Sequence, residues 1–134
     1  MGKKLFVLSI LFCLLATGCG KSNTQAQTQD QTQISTCPKA LAEATVNLKD
    51  VSFDPPSLDI KQCTKVTFKN VDVKEHWPAS DFHPTHGIYP EFDPLKGVEA
   101  QGEWSFIFDR LGSWKYHDHL NPQVHGVVNV EKNN

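Results

Sequence analysis

Beyond residue 44 the chain alternates apolar and polar side chains with the period of two expected of a strand that buries one face. Thr45 to Lys49 puts Val46 and Leu48 on one side, and Ser57 to Lys61 does the same with Leu58 and Ile60. Lys65 to Lys69 turns Val66 and Phe68 inward, and Gly102 to Phe108 aligns Trp104, Phe106 and Phe108. Trp114 and Tyr116 share a face on the next stretch, and Val128 and Val130 close the pattern. Turn chemistry separates these runs: Asp54-Pro55-Pro56 after Phe53, and Asp109-Arg110-Leu111-Gly112 after Phe108. No long window has helical spacing; Pro38 to Ala44 is the best short helical candidate. Short strands in this number predict an all-β, Greek-key β-sandwich in a single domain over residues 37–134.

The alternation fails between Asp72 and Gly102, a stretch rich in Pro and His. It is too long to be a bare connection in a small domain, and long loops on rigid sandwiches carry function.

The N-terminus reads differently. Lys3 and Lys4 precede an apolar run from Leu5 to Ala16, shorter than the roughly 20 residues a spanning helix needs. A cleaved signal over residues 1–18 is therefore expected. Leu15-Ala16-Thr17-Gly18-Cys19 resembles a bacterial lipoprotein signal, with Ala16 at the usual leucine position. That resemblance implies lipidation of Cys19 and an extracytoplasmic domain anchored to a bacterial membrane. Residues 19–36 are rich in Gln, Thr and Ser, with Ile34 as the one aliphatic side chain beyond Ala26. Such a segment buries too little apolar surface to offset its ordering entropy and is expected to be a tether.

Four cysteines reduce to two once Cys13 leaves with the signal and Cys19 carries lipid. In an oxidising compartment Cys37 and Cys63 are expected to form a disulfide. Closing that loop should contribute on the order of 3 kcal/mol in the chain-entropy model. Net charge is −2 with no basic block, which excludes a nucleic-acid partner of the usual phosphate-binding kind. Three Trp and eight Phe supply enough large apolar groups for one core.

All six histidines follow residue 75, in two clusters. One runs His76-Trp-Pro-Ala-Ser-Asp81-Phe-His83-Pro-Thr-His86; the other is His117-Asp118-His119, with His125 beyond it. In extended backbone, residues two apart share a face, so His117 and His119 act together while Asp118 points toward the core side. Several N/O donors without thiolate suit copper, zinc or another divalent metal. The expected ligands are His76, His83, His86, His117 and His119, with Asp118 as a carboxylate candidate; His125, at a strand start, has the weakest claim.

Residues 44–130 resemble a cupredoxin of the plastocyanin and amicyanin type. The resemblance rests on Phe53-x-Pro55, on Val66-Thr-Phe-Lys-Asn70 followed by His76, and on Gly112-x-Trp-x-Tyr116. In amicyanin-like members the closing loop reads Tyr-x-Cys-x-x-His-Pro-x-Met-x-Gly-x-Val-x-Val, and Pro122, Gly126, Val128 and Val130 match it. The family's metal ligands do not carry over. Asp118 stands at the cysteine, Asn121 at the second histidine and Val124 at the methionine, and only His76 matches. A blue site needs the thiolate, so a non-blue protein is implied. Tyr116-His-Asp-His119 and His83-Pro-Thr-His86 are also similar to the His-x-His and His-Pro-x-His motifs of multicopper oxidases. Those enzymes place their cluster between two such domains; this chain has one, and oxidase chemistry would need an assembly.

The leading expectation is a cell-envelope, copper-binding lipoprotein for copper handling or redox work, with a metal-transfer or redox partner. Two other readings remain: an electron carrier with a non-blue copper site, and a metal-free interaction module. No Ser or Cys nucleophile lies near these histidines in an interpretable motif, so an enzyme is not expected.

Overall fold

The computed structural model describes residues 37–134. The expected signal at residues 1–18, Cys19 and the expected tether lie outside the described residues. Two four-stranded sheets face each other. The first has the order β2(Ser52–Asp54), β1(Ala42–Lys49), β4(Thr64–Asn70), β6(Glu103–Phe108); the second runs β3(Ser57–Lys61), β8(Asn121–Glu131), β7(Gly112–Asp118), β5(Pro78–Ser80). β1 pairs parallel with β4 and β3 parallel with β8, while the other pairs are antiparallel. Neighbouring strands far apart in sequence give this sandwich a crossed, Greek-key connectivity. No helix occurs among the described residues; the short helical candidate at Pro38–Ala44 gives way to β1, which starts at Ala42 and pairs with Thr64.

The alternation places the core as expected. Val46, Leu48, Val66 and Phe68 from one sheet meet Tyr116, Val128 and Val130 from the other, all buried. Phe53 stacks on Tyr116 with ring centroids 4.6 Å apart. Tyr116 in turn lies over Gly126, where a Cβ would come within 2.4 Å of the ring. The long segment between β5 and β6 contributes to the same core: Tyr89, Phe92 and Val98 are buried, and Phe92 packs against Phe68, Phe108 and Tyr116.

That segment is anchored at its base. The buried Asn70 amide donates to the carbonyls of Lys74 (2.7 Å), Val98 (2.9 Å) and Glu99 (3.1 Å), and its oxygen accepts from the Asp72 amide. His76 and Val98 exchange backbone hydrogen bonds beside it. The disulfide joins Cys37 to Cys63, tying the start of the domain to the turn before β4. Cross-linking across 26 positions limits the unfolded chain and stabilises the fold by on the order of 3 kcal/mol.

Candidate metal centre

At one end of the second sheet, β7 leads into His119, and the edge strand β5 leads into the turn that carries His83 and His86. Tyr116 and Asp118 face inward from β7, so His117 and His119 face the other way, toward that turn. The turn is closed by the Thr85 and His86 amides, both donating to the Phe82 carbonyl at 2.8 Å. His86 has a left-handed backbone, φ +51°, which a non-glycine residue adopts at some energetic cost. The Ser80 hydroxyl holds it there by donating to the His86 carbonyl at 2.8 Å.

Four imidazoles converge. One ring nitrogen from each of His83, His86, His117 and His119 lies within 4.8 Å of the others. His86 Nε2 is 2.9 Å from His119 Nδ1, and His83 Nδ1 is 3.3 Å from His117 Nε2. Metal–nitrogen bonds of about 2.0–2.1 Å allow ligand atoms up to about 4.0–4.2 Å apart, so the widest pair needs to close by about 0.6–0.8 Å around one ion. The donor set therefore fits a mononuclear centre.

Two of the rings are oriented by carboxylates from behind. Asp81 Oδ1 accepts from His117 Nδ1 at 3.0 Å, and Asp93 Oδ2 accepts from His86 Nδ1 at 2.6 Å. Each contact directs the other nitrogen, Nε2, into the group, the arrangement by which carboxylates fix the tautomer of metal-bound histidine. Asp93 is itself fixed, because its Oδ1 accepts from the Trp77 indole at 2.8 Å and the Leu95 amide at 2.7 Å. Burial alone would raise the Asp93 pKa, but hydrogen bonds from His86, the Leu95 amide and Trp77 outweigh it and hold the carboxyl below its usual range. Trp77 also packs on His119, with centroids 4.6 Å apart.

Burial lowers the pKa of His117, more than the opposing hydrogen bond to the Asp81 carboxylate raises it. His119 is lowered too, by burial first and then by His86 and His83. Both rings are thereby biased toward the neutral form that binds metals.

The remaining expected ligands lie outside this group. His76 is buried, with Nδ1 2.7 Å from Asp118 Oδ2 and Nε2 3.2 Å from Asp72 Oδ2. Both of its nitrogens are engaged by carboxylates. Asp118 is also occupied: Oδ1 accepts from the Trp77 amide at 2.9 Å and the Leu120 amide at 3.0 Å. His76 and Asp118 therefore form a hydrogen-bonded brace on the core side of β7, on the opposite face from the four imidazoles. His125 pairs across the ladder with His117, is exposed, and has its ring centroid 6.4 Å from that of His117. Asp93 and Asp81 had no role assigned from the sequence. Asp81 sits inside the first histidine cluster, whereas nothing in the spacing around Asp93 marks it.

The chain matches no family model, and no curated protein matches it. Solved structures do. A reduced tyrosine-for-tryptophan variant of amicyanin matches with a TM-score of 0.58 and 23% identity, over 70% of this chain and 87% of that one. An oxidised leucine-for-methionine variant of amicyanin gives a TM-score of 0.56 at 23% identity, covering 65% and 80% respectively. The reduced Cu(I) form of a glycine-for-proline variant at pH 4 gives 0.57 at 23%, covering 70% and 87%. The chain thus has the cupredoxin-like β-sandwich fold, and at this identity the likeness concerns the fold alone.

Proposed function

We propose that this chain is a copper-binding protein that holds Cu(II) through the imidazoles of His83, His86, His117 and His119 at a non-blue site. The observation that carries the reading is the convergence of four ring nitrogens within 4.8 Å, two of them aimed by carboxylates. Bound copper would supply a Lewis-acidic or redox centre; the chain's own residues set its donors, tautomers and access. Imidazole donors suit both copper and zinc, and the affinity order of first-row divalent ions favours Cu(II) at a given nitrogen site. Both described cysteines are in the disulfide, which leaves no thiolate for a blue centre among the described residues. The physiological role is copper handling at the cell envelope, with the domain held to a bacterial membrane through lipidated Cys19 and delivering to or accepting from a partner protein.

The test is a Cu(II) titration of the full chain after chelator treatment, in competition with Zn(II) and monitored by electron paramagnetic resonance. One equivalent of copper with nitrogen hyperfine structure and no intense blue absorption is the expected result. Failure to bind stoichiometrically, or displacement of copper by equimolar zinc, would remove the reading.

A further inference from the structure

The four imidazoles are not equally held, and the difference assigns them different roles. His117 is 1% exposed, lies within β7 with a strand on either side, and has Asp81 behind its ring. His86 is 6% exposed and fixed by Asp93, while the Phe82 carbonyl and Ser80 hydroxyl hold its backbone. His119 is partly buried, with its amide donating to the Trp77 carbonyl at 2.8 Å and its ring against the Trp77 indole. His83 lacks a flanking strand and a carboxylate partner, and its ring contacts are to the other imidazoles, His117 and His119. It is exposed, between exposed Phe82 and Pro84, and its only side-chain hydrogen-bond contact among the described residues is to His117 Nε2, the nitrogen that a metal would bind. Among the described residues no carboxylate or carbonyl backs its second nitrogen.

Resting on the copper reading, we propose that His83 is the exchangeable ligand of the centre. It is the one imidazole that leaves to let an incoming neutral nitrogen donor, an imidazole of a partner protein, take its place. The exchange would balance simply: the neutral His83 imidazole would give up its bond to copper, the lone pair of the incoming neutral imidazole would replace it, and no charge would change. His86, His117 and His119 would hold the ion while this happens. Solvent-side access follows from the same geometry, because the ring that must move is the one that nothing behind it restrains. Removing a restrained ligand takes away a donor whose direction is already fixed. Removing His83 opens a coordination position and leaves the remaining three oriented.

Two full-chain variants separate the roles, with free imidazole as the probe. His83→Ala should still bind one equivalent of Cu(II), should add imidazole at the opened position with a change in its resonance spectrum, and should release copper to a chelator at least about tenfold faster than the unsubstituted chain. In the unsubstituted chain, free imidazole should accelerate that release. His86→Asn, chosen because Asn tolerates the left-handed backbone at this position, should lose stoichiometric binding while keeping the native circular dichroism. The proposal is overturned if His83→Ala loses copper as completely as His86→Asn, or if it binds copper without adding imidazole and releases it at the unsubstituted rate. Lack of copper binding by the unsubstituted chain would instead remove the underlying reading, and is a separate observation.

Discussion

Asp93→Asn changes one atom and should change which nitrogen of His86 carries the proton. In the native chain Oδ1 of Asp93 receives two donors, the Trp77 indole and the Leu95 amide, while Oδ2 faces His86 Nδ1 at 2.6 Å. An Asn amide satisfies the two donors only if its oxygen takes the Oδ1 position. Its NH2 group must then face His86 Nδ1, which becomes an acceptor, and the ring proton moves to Nε2, the nitrogen that faces His119. A protonated Nε2 cannot ligate. Loss of such an outer partner usually costs 10–100-fold in metal affinity, or about 1.4–2.8 kcal/mol. The assay is a competition titration with a chelator of known copper affinity, alongside a thermal melt of the metal-free chain to confirm the fold. Trp77→Phe serves as a control: it removes one donor to Asp93 but leaves the carboxylate on His86, so its effect on affinity should be smaller. Unchanged affinity in Asp93→Asn, within about twofold, with the fold intact would refute the assignment of Nε2 as the His86 donor atom.

Other consequences concern stability as well as binding. Gly126→Ala would place a methyl group 2.4 Å from Tyr116 Cζ; that ring is 1% exposed and backed by Phe53, so it has nowhere to move. Overpacking there should destabilise by about 1–3 kcal/mol in denaturant melts, and an unchanged midpoint would contradict the packing. Burial lowers His117 and His119 in the folded chain relative to an ordinary 6.5. Below that value the unfolded chain takes up protons that the native state resists, so metal-free stability is fully present above it and falls as the pH drops through the lowered folded values. Urea melts of the metal-free chain across this window should show the loss, and removing both rings should flatten it; a steeper slope without them would be the wrong sign. Copper at about 100 times its dissociation constant should stabilise the native state by about 2.7 kcal/mol, seen as a higher Tm that a chelator reverses.

Much of the fold was legible because one-sided burial forces alternation. Val46 and Leu48, Val66 and Phe68, and Val128 and Val130 are buried where the pattern put them. The Cys37–Cys63 disulfide was legible from the cysteine count together with the oxidising compartment that the N-terminal sequence leads one to expect. β5 was not legible, because Pro78, Ala79 and Ser80 are all buried and so show no alternation. β1 extends back into the stretch that looked briefly helical, since pairing with β4 overrides a weak local preference.

At the centre, period-two alternation separated His117 and His119 from Asp118, but it could not say that Asp118 would meet His76 across 42 positions. That contact depends on where the long segment re-enters the fold, which Asn70 and Phe92 determine through packing and backbone hydrogen bonds. Asp93 was invisible for the same reason: its role exists only once the segment brings it behind His86. Residue type identified candidate donors, whereas loop packing decided which of them meet.

X-ray absorption on the copper-loaded full chain counts the donors directly. Four nitrogen neighbours at about 2.0 Å with the multiple-scattering signature of imidazole, and no sulfur, are predicted from the convergence of His83, His86, His117 and His119. A sulfur neighbour, or fewer than three imidazoles, would contradict the four-histidine centre.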